Sequence, residues 1–205
     1  MFTFDFTNTT EGIKSSTKVE SISIVLPEHY FLATKYKKSV IQLLKQDFSL
    51  KENPEFQVFV IDPKGLQYTN VSKYVNSFDH LNETFDQFTH RILEILWFDK
   101  ILNEYTLVYL DFPEAFLHSK HVVEYAHFVL QICKETKCKF LIQTTSFDFF
   151  NTIKLLSSQL NVTDINYYLL TVEEHIPQVI NGYGPQLLKN SLYKSTDLLK
   201  SLYNS

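Results

Sequence analysis

The sequence predicts an α/β protein built on a mostly parallel sheet flanked by helices. Three observations carry that expectation. Short apolar runs bounded by turn residues alternate with longer segments whose apolar residues recur every three or four positions. The order is strand, helix, strand, helix through most of the chain, and parallel strands need such crossover helices. The 205 residues, 44% of them hydrophobic with 18 Phe and 12 Tyr, suffice for one domain with a substantial core.

After a short extended start, residues 21–26 (SISIVL) alternate and then turn apolar, which suits a buried strand closed by Pro27. Residues 33–47 read as a helix with Val40, Leu43 and Leu44 on one face. Residues 57–62 (QVFVID) form a second strand, ended by the turn Asp62-Pro-Lys-Gly65, and a polar connection runs on to Asn82. Over residues 83–102, Phe85, Phe88, Ile92 and Leu96 keep the spacing of a core-facing helix, with Trp97 and Phe98 widening the face. Residues 106–111 are the central strand. A helix over 119–135 then places Val122, Val123, Ala126, Val129, Leu130 and Cys133 on one side. A strand at 139–144, a helix at 148–160 and a strand at 165–170 complete a domain expected to span residues 1–180. Past the hinge-like Asn181-Gly-Tyr-Gly-Pro185, residues 185–203 read as an amphipathic helix carrying Leu188, Leu192, Leu199 and Leu202. That helix either docks on its own domain or is offered to another subunit.

No apolar run reaches the roughly 18 residues of a membrane span, and the first residues lack the basic and apolar regions of a signal peptide. The expected location is the cytoplasm. There Cys133 and Cys138 are expected to be ordinary reduced thiols, since CxxxxC without further Cys makes a poor zinc site. A formal charge of −4 gives no global attraction to nucleic acid, so any DNA contact must come from local lysine groups. Three exist: Lys35, Lys37 and Lys38; Lys134, Lys137 and Lys139; and Lys189, Lys194 and Lys200. Phosphate binding needs only charge on a shared surface, and a solvated lysine face reads the same way. The first two groups are preferred as DNA-binding residues, on the expectation that both flank the side where ligands gather in open α/β sheets. His118, His121 and His127 are spaced so that a helix cannot gather all three around one metal. No Gly-x-Ser-x-Gly turn occurs, and no catalytic constellation is found.

The most informative stretch is 107–118, Leu-Val-Tyr-Leu-Asp-Phe-Pro-Glu-Ala-Phe-Leu-His. It resembles the Walker B strand and following loop of ABC-type ATPases of the RecF and structural-maintenance class. In those enzymes Asp at the strand end holds Mg²⁺ through its water shell, and the adjacent Glu polarises the attacking water. Asp111 matches the first, whereas Phe112 stands where the second belongs. The joint 27–34 has no glycine to wrap phosphates, the signature segment would fall at Leu81-Asn-Glu-Thr-Phe-Asp86 without glycine, and Ser146 is nearest to the switch His. The resemblance therefore implies a degenerate P-loop, ABC ATPase-like fold without a nucleotide site, no enzymatic activity and no ATP. Asp111 is a candidate ligand for a divalent cation, or else caps the next turn. Glu114, Glu124, Glu173 and Glu174 are conceivable Ca²⁺ ligands, although nothing resembles a calcium loop.

Within that class, the order of features is similar to the accessory spacer-adaptation protein family of type II-A CRISPR systems. The matching residues are Phe2 to Phe6, Ile22 to Leu26, Phe59 to Gly65, and Asn76-Ser-Phe-Asp-His-Leu-Asn82. The resemblance implies a non-catalytic protein that binds double-stranded DNA ends in spacer acquisition. It also implies a tetramer with Ca²⁺, working beside the CRISPR integrase complex and the effector nuclease. The chain departs from better-known members in having only residues 83–105 where they insert a long helical domain. The alternative is a catalytically dead ABC-type subunit partnering an active ATPase or nuclease in another phage-defence or repair system. A third reading is an enzyme that retains nucleotide binding in a remodelled site.

Overall fold

The computed structural model describes residues 2–5, 16–19, 21–28, 30–47, 57–62, 67–69, 85–115, 117–173 and 176–181. The helix expected at 185–203, with Lys189, Lys194 and Lys200, lies outside them, as do residues 63–65, 76–82 and the start of the signature segment.

Strands β1 (Phe2–Asp5) and β2 (Ser16–Val19) form an antiparallel pair. Strand β3 (Ile22–Pro27) leads into helix α1 (Tyr30–Asp47). Strands β4 (Gln57–Asp62) and β5 (Gln67–Thr69) follow, then helix α2 (Phe85–Phe98) and strand β6 (Thr106–Asp111). Helix α3 (Ser119–Thr136), strand β7 (Lys139–Gln143), helix α4 (Phe147–Leu160) and strands β8 (Ile165–Glu173) and β9 (Ile176–Asn181) complete the order. Among the described residues, seven strands make one sheet in the order β5-β4-β6-β7-β3-β8-β9. The central strands β4, β6, β7, β3 and β8 all run parallel, and the edges β5 and β9 are antiparallel.

The mostly parallel sheet flanked by helices is thus as the sequence reads, whereas both antiparallel edges are additions. β5 is three residues in a polar stretch, too short for any pattern. β9 contains Pro177, which argues against a strand in general but is tolerated on an edge, where one side of the backbone needs no partner.

Helices lie on both faces, and the chain's direction of travel explains which. From β3 the chain crosses β7 and β6 to reach β4, carrying α1 over one face. From β4 it returns through β6, β7 and β8, carrying α2, α3 and α4 over the other, as right-handed crossovers require. Leu32, Tyr36 and Val40 of α1 pack on Val60, Leu107, Tyr109 and Leu141. Ile92, Leu96, Ala126, Val129, Phe149 and Ile153 pack on Phe59, Val108, Leu110, Phe140 and Ile142. Successive strand residues point to opposite faces, so the strands are apolar nearly throughout and serve two cores at once. The direction of travel reverses beside β3, and in open α/β sheets the crevice at such a switch, beyond the carboxyl ends of the strands, is where ligands bind.

Candidate functional site

Three neighbouring strands end in a polar residue at that carboxyl edge: Asp62 on β4, Asp111 on β6 and Gln143 on β7. Each lies two residues past an apolar residue of the α1-side core, Val60, Tyr109 and Leu141, so alternation turns all three side chains toward α1. Register completes the row, because Ile61 is opposite Leu110 and Asp111 is opposite Gln143. All three are buried.

Into this row α1 inserts Lys37. Its neighbours at helical spacing, Ala33 and Val40, are fully buried, so Lys37 sits on the border of the helix's apolar stripe rather than on its outer face. The Lys37 Nζ bonds Asp62 Oδ2 and lies 3.0 Å from Asp111 Oδ2. Side-chain exposure is 18% for Lys37, 0% for Asp62 and 4% for Asp111, so one cation closes the site over two buried carboxylates. Burial alone would weaken the ammonium, but hydrogen bonds and attraction from Asp62 and Asp111 outweigh it and hold the Lys37 pKa above its ordinary value. Asp111 Oδ1 accepts from Gln143 Nε2 at 2.7 Å, with the Tyr109 hydroxyl at 3.5 Å. Burial, with Asp111 alongside, pushes the Tyr109 phenol well above its usual range. The Gln143 Oε1 is buried and has no hydrogen-bond partner among the described residues.

Directly after Asp111, Phe112 takes a left-handed backbone conformation, φ 50°, with its side chain buried and its N–H donating to the Gln143 carbonyl at 2.8 Å. A bulky residue is uncommon there, and this turn redirects the chain. Glu114 consequently faces the loop after β7, where the Thr144 hydroxyl donates to its Oε1 at 2.6 Å. Burial raises the Glu114 pKa, although hydrogen bonds from Thr144 and from backbone groups at Glu114, Ser146 and Thr145 pull the other way. Glu114 Oε2 and the nearby Tyr125 hydroxyl of α3 are both buried and unpartnered among the described residues.

The two carboxylates singled out for a metal therefore have different surroundings, Asp111 toward α1 and Glu114 toward α3 and the loop after β7. Asp111 already holds a cation of the chain's own. Among the described residues no three of His, Cys, Asp or Glu gather as a metal group. Among the described residues, Asp111 and Glu114 are not brought together as one donor set.

The expectation that the first two lysine groups flank one side of the sheet requires a correction. Lys37 faces inward, while Lys38 is exposed and Lys35 half-exposed on α1. Lys134 and Lys137 close α3, and Lys139 opens β7, at the amino end of the strand that Gln143 finishes. The two groups expected to flank one side of the sheet lie at opposite ends of its strands. His118 caps α3, accepting from the Lys120 N–H at 3.3 Å, and His121 pairs with Glu124 at 2.9 Å. Ser146 caps α4 through the Phe149 N–H at 3.1 Å. Cys133 and Cys138 are free and buried, and burial pushes their thiols up to about 11 and about 12.

No protein-family model matches the chain, and no curated protein matches it. No described helix is long and apolar enough to cross a membrane.

Asp62, Gln143 and the inward role of Lys37 escaped sequence reasoning. The signal was present for the first two, since each apolar strand ends in a polar residue that could have turned elsewhere. Nothing local marks Lys37 apart from its neighbours Lys35 and Lys38.

Proposed function

We propose that this chain is a non-hydrolysing relative of ABC-type ATPases, a degenerate P-loop protein that binds double-stranded DNA ends and acts in CRISPR spacer acquisition as an oligomer. Its weight rests on one arrangement, the Lys37 ammonium between Asp62 and Asp111. Phosphoryl transfer on such a fold needs a metal ion at the strand-end carboxylate and a residue that orients water beside it. Here a tethered cation meets the carboxylate, and Phe112, with neither donor nor acceptor on its side chain, follows it. The chain's binding energy for a partner then comes from surface charge and shape, with Lys35 and Lys38 on the outer part of α1 as the phosphate contacts at the carboxyl end of the sheet. The CRISPR integrase complex and effector nuclease are the partners that the resemblance implies.

Fluorescence anisotropy on a linear duplex and on closed circular DNA tests this reading. Linear duplex is expected to bind and to weaken steeply between low and physiological salt, with the double substitution Lys35→Ala, Lys38→Ala weakening it further. Lack of binding at low salt would refute the DNA function. ATP hydrolysis abolished by Asp111→Asn would refute the non-hydrolysing reading instead.

A further inference from the structure

We infer that Asp62, Asp111 and Gln143 constitute a cation site whose resident occupant is this chain's own Lys37 ammonium, so that the site is metal-independent by construction. The inference rests on the arrangement of these side chains and stands whether or not the protein binds DNA. Two carboxylates with side-chain exposures of 0% and 4% share one ammonium. Neither could stay buried and ionised without a cation, because an unpaired charge in that setting loses far more solvation than packing returns. The Gln143 amide is a second and independent observation. Its Nε2 is committed to Asp111 at 2.7 Å, which leaves its carbonyl Oε1 buried and, among the described residues, without a donor. An ammonium has three protons, of which Asp62 and Asp111 take two. Two carboxylates and an amide oxygen are also a donor set for a hard divalent cation, which takes oxygen ligands only. Lys37 reaches this set from α1, so the same contact ties the helix to the ends of β4 and β6.

Replacing the tethered cation should therefore convert the site into one that needs a free cation. In metal-free buffer, any heat or change in melting temperature that millimolar Ca²⁺ or Mg²⁺ gives the wild type is expected to persist in Asp111→Asn. Lys37→Met should melt several degrees lower and recover part of that loss with millimolar Ca²⁺. Adding Asp111→Asn to Lys37→Met should abolish the recovery. Lys37→Arg, which keeps a positive charge, should remain indifferent to metal. Should Lys37→Met not fold alone, refolding with and without Ca²⁺ reads the same property, and the uncharged variant Lys37→Met, Asp62→Asn, Asp111→Asn should fold in either condition. The inference is overturned by a wild type whose melting temperature rises with Ca²⁺ unless Asp111 is replaced, by a Lys37→Met protein as stable as wild type, or by recovery that persists with Asp111→Asn. Failure of both Lys37→Met with Ca²⁺ and the uncharged variant to fold would also overturn it.

Discussion

Phe112 stores strain at the point where the chain leaves the central strand. Its φ of 50° places Cβ against the following carbonyl, at a cost of about 1–2 kcal/mol for a residue other than glycine. The buried ring and the bond from its N–H to Gln143 hold it there. Two truncations separate ring from backbone. Phe112→Ala keeps the backbone cost and loses the ring, and should lower stability by about 3–5 kcal/mol. Phe112→Gly loses the ring but relieves the backbone, and should be less damaging by about 1 kcal/mol in urea unfolding. A glycine variant less stable than the alanine one would show that no strain is stored. The left-handed turn is invisible in the sequence, because a Phe gives no sign of positive φ.

At the scale of elements, Glu114 joins the turn after β6 to the loop between β7 and α4 through Thr144. Its pKa is raised above the ordinary 4.5, so the folded protein holds the Glu114 proton more tightly than the unfolded chain. The corresponding stabilisation is complete below about pH 4.5 and is lost as pH rises through the raised folded value. Glu114→Gln removes that dependence. Urea midpoints measured from about pH 4 upward should shift progressively in favour of the variant, and a constant difference would reject the assignment. The same loop holds Ser146, and its hydroxyl is occupied in capping α4. Capping by a serine just before a helix was legible in principle, whereas the meeting of Glu114 and Thr144 required two loops to come together across 30 residues of chain.

For the whole molecule, the order β4-β6-β7-β3-β8 decides which surfaces belong together. It places Lys35 and Lys38 on α1 with the carboxyl edge and leaves Lys134, Lys137 and Lys139 at the far end of β7. Among the described residues, one copy therefore carries these two lysine groups apart from each other. The oligomer in the proposed function, a tetramer if the resemblance holds, is read by native mass spectrometry with and without Ca²⁺. Four copies are expected, with Asp111→Asn leaving any Ca²⁺ response unchanged because Asp111 is held by Lys37. A single copy in both conditions would overturn the oligomer.

By itself the sequence determined the strand–helix alternation, the parallel core and the apolar faces, because local periodicity and two-sided burial leave direct marks on residue order. It also placed Asp111 at the end of a buried strand. Only the tertiary structure decided what meets Asp111. Strand order brings β4 and β7 to either side of β6, register aligns Asp62 and Gln143 with it, and the crossover after β3 lays α1 above all three. Those relations span separations that no local pattern encodes, and they turn a lysine that reads as surface charge into the cation of a buried site.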